Sequence, residues 1–159
     1  MHNKDRLSSQ LILDFPSQPE YSFSNFIVSD GSKIAFDAAY HFGSDSSSFN
    51  TLYFFGGRNL GKTHLLLSMG NQSASTNKTA LYVHGEDFVK KTDESSNGSS
   101  GEFISILCNI DLFLLDAVDK IEGNRASQEK LYLVINSLME KEKKIAFAGN
   151  LNPAKLKNT

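Results

Sequence analysis

The sequence predicts an α/β fold in which a parallel sheet is flanked by helices, and three observations carry that expectation. Four short runs, Thr51–Phe55, Thr79–His84, Asp111–Leu115 and Lys144–Gly149, are almost continuously apolar, the pattern of strands covered on both faces. Helical patterns lie between them, over Gly61–Met69, Phe103–Cys108 and Ser127–Lys141, the last with Leu131, Val134, Ile135 and Leu138 recurring on one face. Strands connected through helices run parallel. The third observation is a spacing: Gly56, Gly61, Lys62 and Thr63 fit G-x-x-x-x-G-K-[ST], directly after the first apolar run and directly before the first helical pattern. That is a phosphate-binding P-loop in its strand–loop–helix context.

Residues 1–24 carry no periodicity and hold Pro16 and Pro19, which predicts an extended tail ahead of a single domain over 25–159. Within the tail Leu11, Leu13 and Phe15 alternate with Ile12 and Asp14. An extended strand therefore turns three large apolar groups to one side, with Gln10 supplying amide hydrogen bonds at its start. Such a peptide suits an apolar groove on a partner, and the same residues equally suit a cap on this domain's own core. Ile34–Phe42 reads as a helix entered from Ser29-Asp30-Gly31-Ser32, and Glu86-Asp87 opens another, with acids that complement a helix dipole. The segments Gly70–Asn77 and Thr92–Gly101 are rich in Ser, Asn, Gly and Thr and read as mobile loops, since they offer little apolar surface to offset ordering entropy.

Composition narrows the class. At 159 residues, 40% hydrophobic and 21% charged, the chain suits one globular domain. It holds no apolar stretch approaching the roughly 18 residues of a membrane span. The polar start Met1–Gln10 has no signal-peptide core, and the lone Cys108 lies in an apolar stretch, so a cytoplasmic location is expected. A net charge of −2 without a basic cluster gives no footprint for direct nucleic-acid binding. The four histidines show no paired metal-ligand spacing.

The P-loop assigns roles to residue types. Its glycines let backbone N–H groups converge on phosphate oxygens, and the following helix adds its positive end. Lys62 would reach the β- and γ-phosphates and the Thr63 hydroxyl would ligate magnesium. A carboxylate on a neighbouring strand should complete the metal site, and Leu112-Phe113-Leu114-Leu115-Asp116 ends in one. The next position, where related ATPases carry a second acid that polarises water, is Ala117. Alanine accepts no proton, which removes a group typically worth ~10²–10⁴-fold; Asp119 lies two residues further along. Asn150, at the end of the fourth run, either touches the γ-phosphate or its water, or opens a turn before Asn152-Pro153.

These residues resemble a family. Tyr21–Val28, then Phe55–Leu66 with Gly56, Gly57, Arg58, Asn59, Leu60, Gly61, Lys62, Thr63 and His64, then Ile110–Val118 are similar to the AAA+ module of the bacterial replication initiator DnaA and its regulatory relative Hda. The resemblance spans about residues 8 to 157. It implies the P-loop NTPase fold of an AAA+ base subdomain, with ADP or ATP and Mg2+ as cofactors, adenine lying against Phe26, Ile27 and Val28, and Asn150 as sensor 1. The tail from Leu7 to Pro16 is similar to the peptide by which Hda proteins dock on the DNA polymerase sliding clamp.

The expected reading is thus an Hda-like regulator that docks on the clamp, acts on DnaA, and hydrolyses nucleotide weakly or not at all. The alternative is an active AAA+ ATPase, as initiator fragment or loader. Relative to the family pattern, the core ends after sensor 1 at Thr159, with no arginine-finger segment, fifth strand or lid domain following in this sequence. The P-loop strand is then expected at the sheet edge beside the sensor strand, open to self-association.

Overall fold

The structure, a computed structural model, describes residues 12–44, 47–58, 60–93, 100–150 and 152. Its strands are β1 (Ile12–Asp14), β2 (Thr51–Phe55), β3 (Ala80–His84), β4 (Leu112–Asp116) and β5 (Lys144–Gly149). They form one sheet in the order β1-β3-β4-β5-β2, parallel throughout except for the antiparallel edge strand β1. The helices are α1 (Lys33–Phe42), α2 (Lys62–Ser75), α3 (Gly85–Thr92), α4 (Ser100–Leu107) and α5 (Arg125–Glu140). Short 3-10 turns at Phe23–Asn25 and Val118–Ile121 complete the described elements. No helix among the described residues is long and apolar enough to cross a membrane.

Alternation along the central strand fills two cores, because successive side chains of a strand point to opposite faces. Leu112 and Leu114 of β4 join Leu65, Leu66 and Met69 of α2 on one face. Phe113 and Leu115 join Phe88 of α3, Leu107 of α4 and Val134 of α5 on the other. The apolar runs are therefore the ones a doubly covered sheet requires, and β2 occupies the edge beside β5, as the resemblance implied. Strands β3 and β4 each start one residue later than their sequence patterns, because Thr79 and Asp111 are used at their entrance. The Asp111 carboxylate accepts the Thr79 N–H at 2.8 Å, its hydroxyl at 3.1 Å and the Lys143 ammonium at 2.7 Å. Burial raises the Asp111 carboxyl, but these hydrogen bonds outweigh it and hold it below its ordinary value.

Three expectations are corrected. The extended tail expected over 1–24 is, from Ile12 onward, part of the domain: Ile12, Leu13 and Asp14 pair with Val83, Tyr82 and Leu81 of β3, whose outer edge would otherwise lack a ladder partner. The loop expected over Gly70–Asn77 is helical as far as Ser75, with Gly70 and Ser73 buried. The loop expected over Thr92–Gly101 keeps neither end, for Thr92 is buried at the close of α3 and Ser100 opens α4; its middle lies outside the described residues.

Tertiary contact overrides the turn chemistry of Gly70 and Asn71. The Phe15 ring packs into the space a side chain at position 70 would fill. The Asn71 amide meanwhile accepts the Ser17 N–H at 2.6 Å and donates to the Tyr21 carbonyl at 2.8 Å. The segment before residue 25 and the second half of α2 therefore hold each other.

A Cβ added at Gly70 would lie 2.0 Å from Phe15 Cζ. Gly70→Ala gains about 1 kcal/mol of helix propensity but must displace the ring, and we expect a net loss of ~1–2 kcal/mol in urea unfolding. In a Phe15→Ala background the same change should become neutral or stabilising. Equal losses in both backgrounds would show that Phe15 does not occupy this seat.

Candidate functional site

At the carboxyl ends of β3, β4 and β5, where ligands bind in open α/β sheets, the P-loop encloses a cavity of about 570 Å³ with Lys62, Thr63, Tyr82, Asp116 and Asn150 on its wall. The loop leaves β2 through Gly56 at φ 147° and enters α2 through Gly61 at φ 89°, conformations that side-chain-bearing residues rarely adopt. A Cβ at Gly61 would also meet the Phe26 ring at 2.7 Å. Phe26 thus lies directly on the loop, edge-on to His64 at 5.3 Å between ring centroids.

Lys62 points its three ammonium donors inward, to the carbonyls of Gly56 at 2.5 Å and Gly57 at 2.7 Å and to Asn150 Oδ1 at 3.1 Å. Burial pulls this ammonium below its ordinary value, while the carboxylates of Asp116 and Asp119 pull the other way. Asp116 ends β4 and is only 7% exposed. Its Oδ2 accepts the Thr63 hydroxyl at 2.6 Å and the Tyr82 hydroxyl at 2.7 Å, and its Oδ1 accepts the Ala117 N–H at 2.8 Å.

This donor set fits a phosphate group and a magnesium ion. Thr63 spends its proton on Asp116 and keeps oxygen lone pairs for a hard cation, and Asp116 supplies the negative charge beside them. Thr63 and Asp116 would hold the metal, whose contribution is to neutralise charge on phosphate oxygens. Lys62 would exchange the two loop carbonyls for phosphate oxygens.

The structure brings Lys62, Thr63, Asp116 and Asn150 together, with Arg58 and Leu60 on the rim of the same cavity. The Asn150 side chain faces Lys62. The Asn150 N–H donates to Asp119 Oδ1 at 3.3 Å, so Asp119 stands beside the end of β5. His64 turns away from the phosphate cavity, with Nε2 bonded to the Ser22 carbonyl at 2.9 Å. Ile27 is 90% exposed and Val28 half-exposed, while Phe26 packs partly buried against the core.

Asn59, Gln10 and Leu11 lie outside the described residues. Leu13 is placed in β1 opposite Tyr82. Phe15, expected to face a partner, is instead packed against this domain's own core.

Two supporting residues escaped the sequence reading. Ala117 sits in the left-handed region at φ 50°, ψ 48°, and its carbonyl comes within 2.2 Å of the position a Cβ on Gly85 would take. Gly85 is therefore required where α3 passes the end of β4. Tyr82 is the other, and its one available signal was a phenol flanked by Leu81 and Val83 in an apolar run, since a buried tyrosine hydroxyl needs a partner.

A family model described as the bacterial DnaA ATPase domain matches residues 17–159. The chromosomal replication initiator protein DnaA of Buchnera aphidicola subsp. Cinara cedri is 32% identical over 148 residues, covering 91% of this chain and 34% of that protein. Its counterpart in Thermotoga petrophila is 30% identical over 159 residues, 98% of this chain and 36% of that protein. Among solved structures, a replication initiator DnaA bound to AMPPCP and single-stranded DNA matches with a TM-score of 0.82 at 30% identity, over 87% of this chain and 44% of that one. Domain III of the Thermotoga maritima replication initiation protein DnaA matches with a TM-score of 0.79 at 30% identity, over 88% and 60%. The chain spans about a third of the length of the curated relatives it matches.

Proposed function

The chain belongs to the bacterial DnaA ATPase-domain family, and on that premise we propose that it is a nucleotide-binding regulator of replication initiation. It binds ADP or ATP with Mg2+ at the P-loop and acts, in the manner of Hda, on the initiator DnaA while docked on the DNA polymerase sliding clamp. The observation that carries the nucleotide reading is the convergence of Lys62, Thr63, Asp116 and Asn150 on one cavity. A similar replication initiator has been solved with AMPPCP.

The regulatory side of the reading rests on Ala117. Its methyl group stands where related ATPases place a proton acceptor, so hydrolysis is slow. A second reading, an active ATPase serving as initiator fragment or loader, is favoured by one contact: Asp119 reaches the backbone of Asn150 and lies near enough to Lys62 to act on its charge. In that reading Asp119 replaces the absent acid.

Two measurements separate the readings. A fluorescent ADP analogue should bind in a magnesium-sensitive way, and Lys62→Ala should abolish binding; an intact chain that binds nothing sinks both. Phosphate release should then sit near background and not fall in Ala117→Asp. Turnover approaching the enzyme median of about 10 s⁻¹, lost in Asp119→Asn, would establish the active ATPase.

Docking on the clamp uses residues 10–15 as an extended peptide in an apolar groove. Because β1 pairs with β3 and Phe15 packs against Gly70, docking competes with these contacts. A surface binding assay with purified clamp should show binding by the intact chain and at least a tenfold loss in Gln10→Ala and in Leu13→Ala/Phe15→Ala, with both variants still folded. Equal binding by all three refutes the docking role.

A further inference from the structure

Tyr82 and Asp116 lie on adjacent parallel strands. Tyr82 is opposite Leu114 and His84 is opposite Asp116, so Tyr82 stands two residues before the end of its strand, on the same face of the sheet as Asp116. From there its hydroxyl reaches up the face to Asp116 Oδ2 at 2.7 Å. The residue is only 4% exposed, and a buried phenol needs a hydrogen-bond partner, which the Asp116 carboxylate supplies.

The Thr63 hydroxyl donates to the same oxygen and the Ala117 N–H to the other. Asp116 is thus fixed from three directions: from α2, from its own strand end and from β3. The first two belong to the P-loop arrangement already described. The third comes from a residue of the central sheet with no nucleotide-binding motif around it. A carboxylate held by one donor fewer can rotate, and its oxygen then spends less time where Thr63 needs a partner and a cation needs a ligand.

We propose that Tyr82 is the positioning residue of the magnesium site, its hydroxyl holding Asp116 in the orientation that binds the cation beside Thr63. The proposal rests on the nucleotide-binding reading and adds a determinant of metal affinity to it. Outer hydrogen-bond partners of metal ligands typically govern about 10–100-fold in metal affinity. Tyr82→Phe keeps the ring and its packing and removes only the donor.

The full chain is titrated with a fluorescent ADP analogue twice, once with excess EDTA and once over a Mg2+ series, and Mn2+ binding to the nucleotide-bound chain is followed directly by electron paramagnetic resonance. In Tyr82→Phe, nucleotide affinity in EDTA should stay within about twofold of the unsubstituted chain, while the Mg2+ and Mn2+ concentrations for half-saturation rise about tenfold or more. Tyr82→Met, which fills the site without a hydroxyl, should give the same cation shift if the phenylalanine variant folds poorly. Cation curves that superimpose on the unsubstituted chain overturn the proposal. So does an equal loss of affinity with and without magnesium, which would make Tyr82 a packing residue only. Failure of the unsubstituted chain to bind nucleotide at all is a separate outcome, which removes the underlying reading and this proposal with it.

Discussion

The carboxylate of Asp116 is the point on which the site depends. It ends the central strand β4, is nearly buried, and accepts donors from α2, β3 and its own strand end. A buried carboxylate is costly unless its lone pairs are met, and here they are met by groups that also fix the geometry of the P-loop. Thr63 lies in the first turn of α2, so its bond to Asp116 pins the N-terminus of that helix to the sheet. Lys62, its neighbour, is thereby aimed across the loop at Asn150, just past the end of β5. The parallel register among β3, β4 and β5 decides which residues arrive at this level.

Close backbone approach is the second constraint, and it recurs around the same site. Gly61 admits the Phe26 ring, Gly85 admits the Ala117 carbonyl, and Gly149 leaves room for the Tyr53 hydroxyl and the Asp119 carboxylate. Each places a neighbouring element where a side chain would exclude it. Through Gly61, the Phe26 ring is carried onto the loop. Through Gly85, the turn after Asp116 passes beneath α3. The strained backbone of Ala117 lies at this crossing, where the surrounding packing over-determines the conformation.

Much of this was legible in the chain itself, for identifiable reasons. The parallel strands are almost continuously apolar runs and the P-loop has fixed spacing, so both announce themselves locally. The pairing of β1 did not, because the alternation over residues 11–15 marks an extended segment but not its partner, and that partner edge lies some seventy residues away in β3. The second half of α2 was hidden by Gly70, Asn71 and Ser73, whose local chemistry favours turns until Phe15 and Ser17 pack on them. Tyr82 was hidden because its hydroxyl finds Asp116 only through strand register. The contacts of Asn150 with Lys62 and Asp119 join residues far apart in the chain, so both could be placed in sequence but not in space.

The central claim is that these contacts form a magnesium–nucleotide site, and a crystal structure of the full chain with Mg2+ and ADP tests it most directly. The account predicts the β-phosphate in the loop between Gly56 and Thr63, with Lys62 Nζ moved from the Gly56 and Gly57 carbonyls onto phosphate oxygen. Thr63 Oγ1 should ligate the metal with Asp116 beside it. Nucleotide bound elsewhere, or Lys62 still on the loop carbonyls with no metal near Thr63 and Asp116, would contradict it.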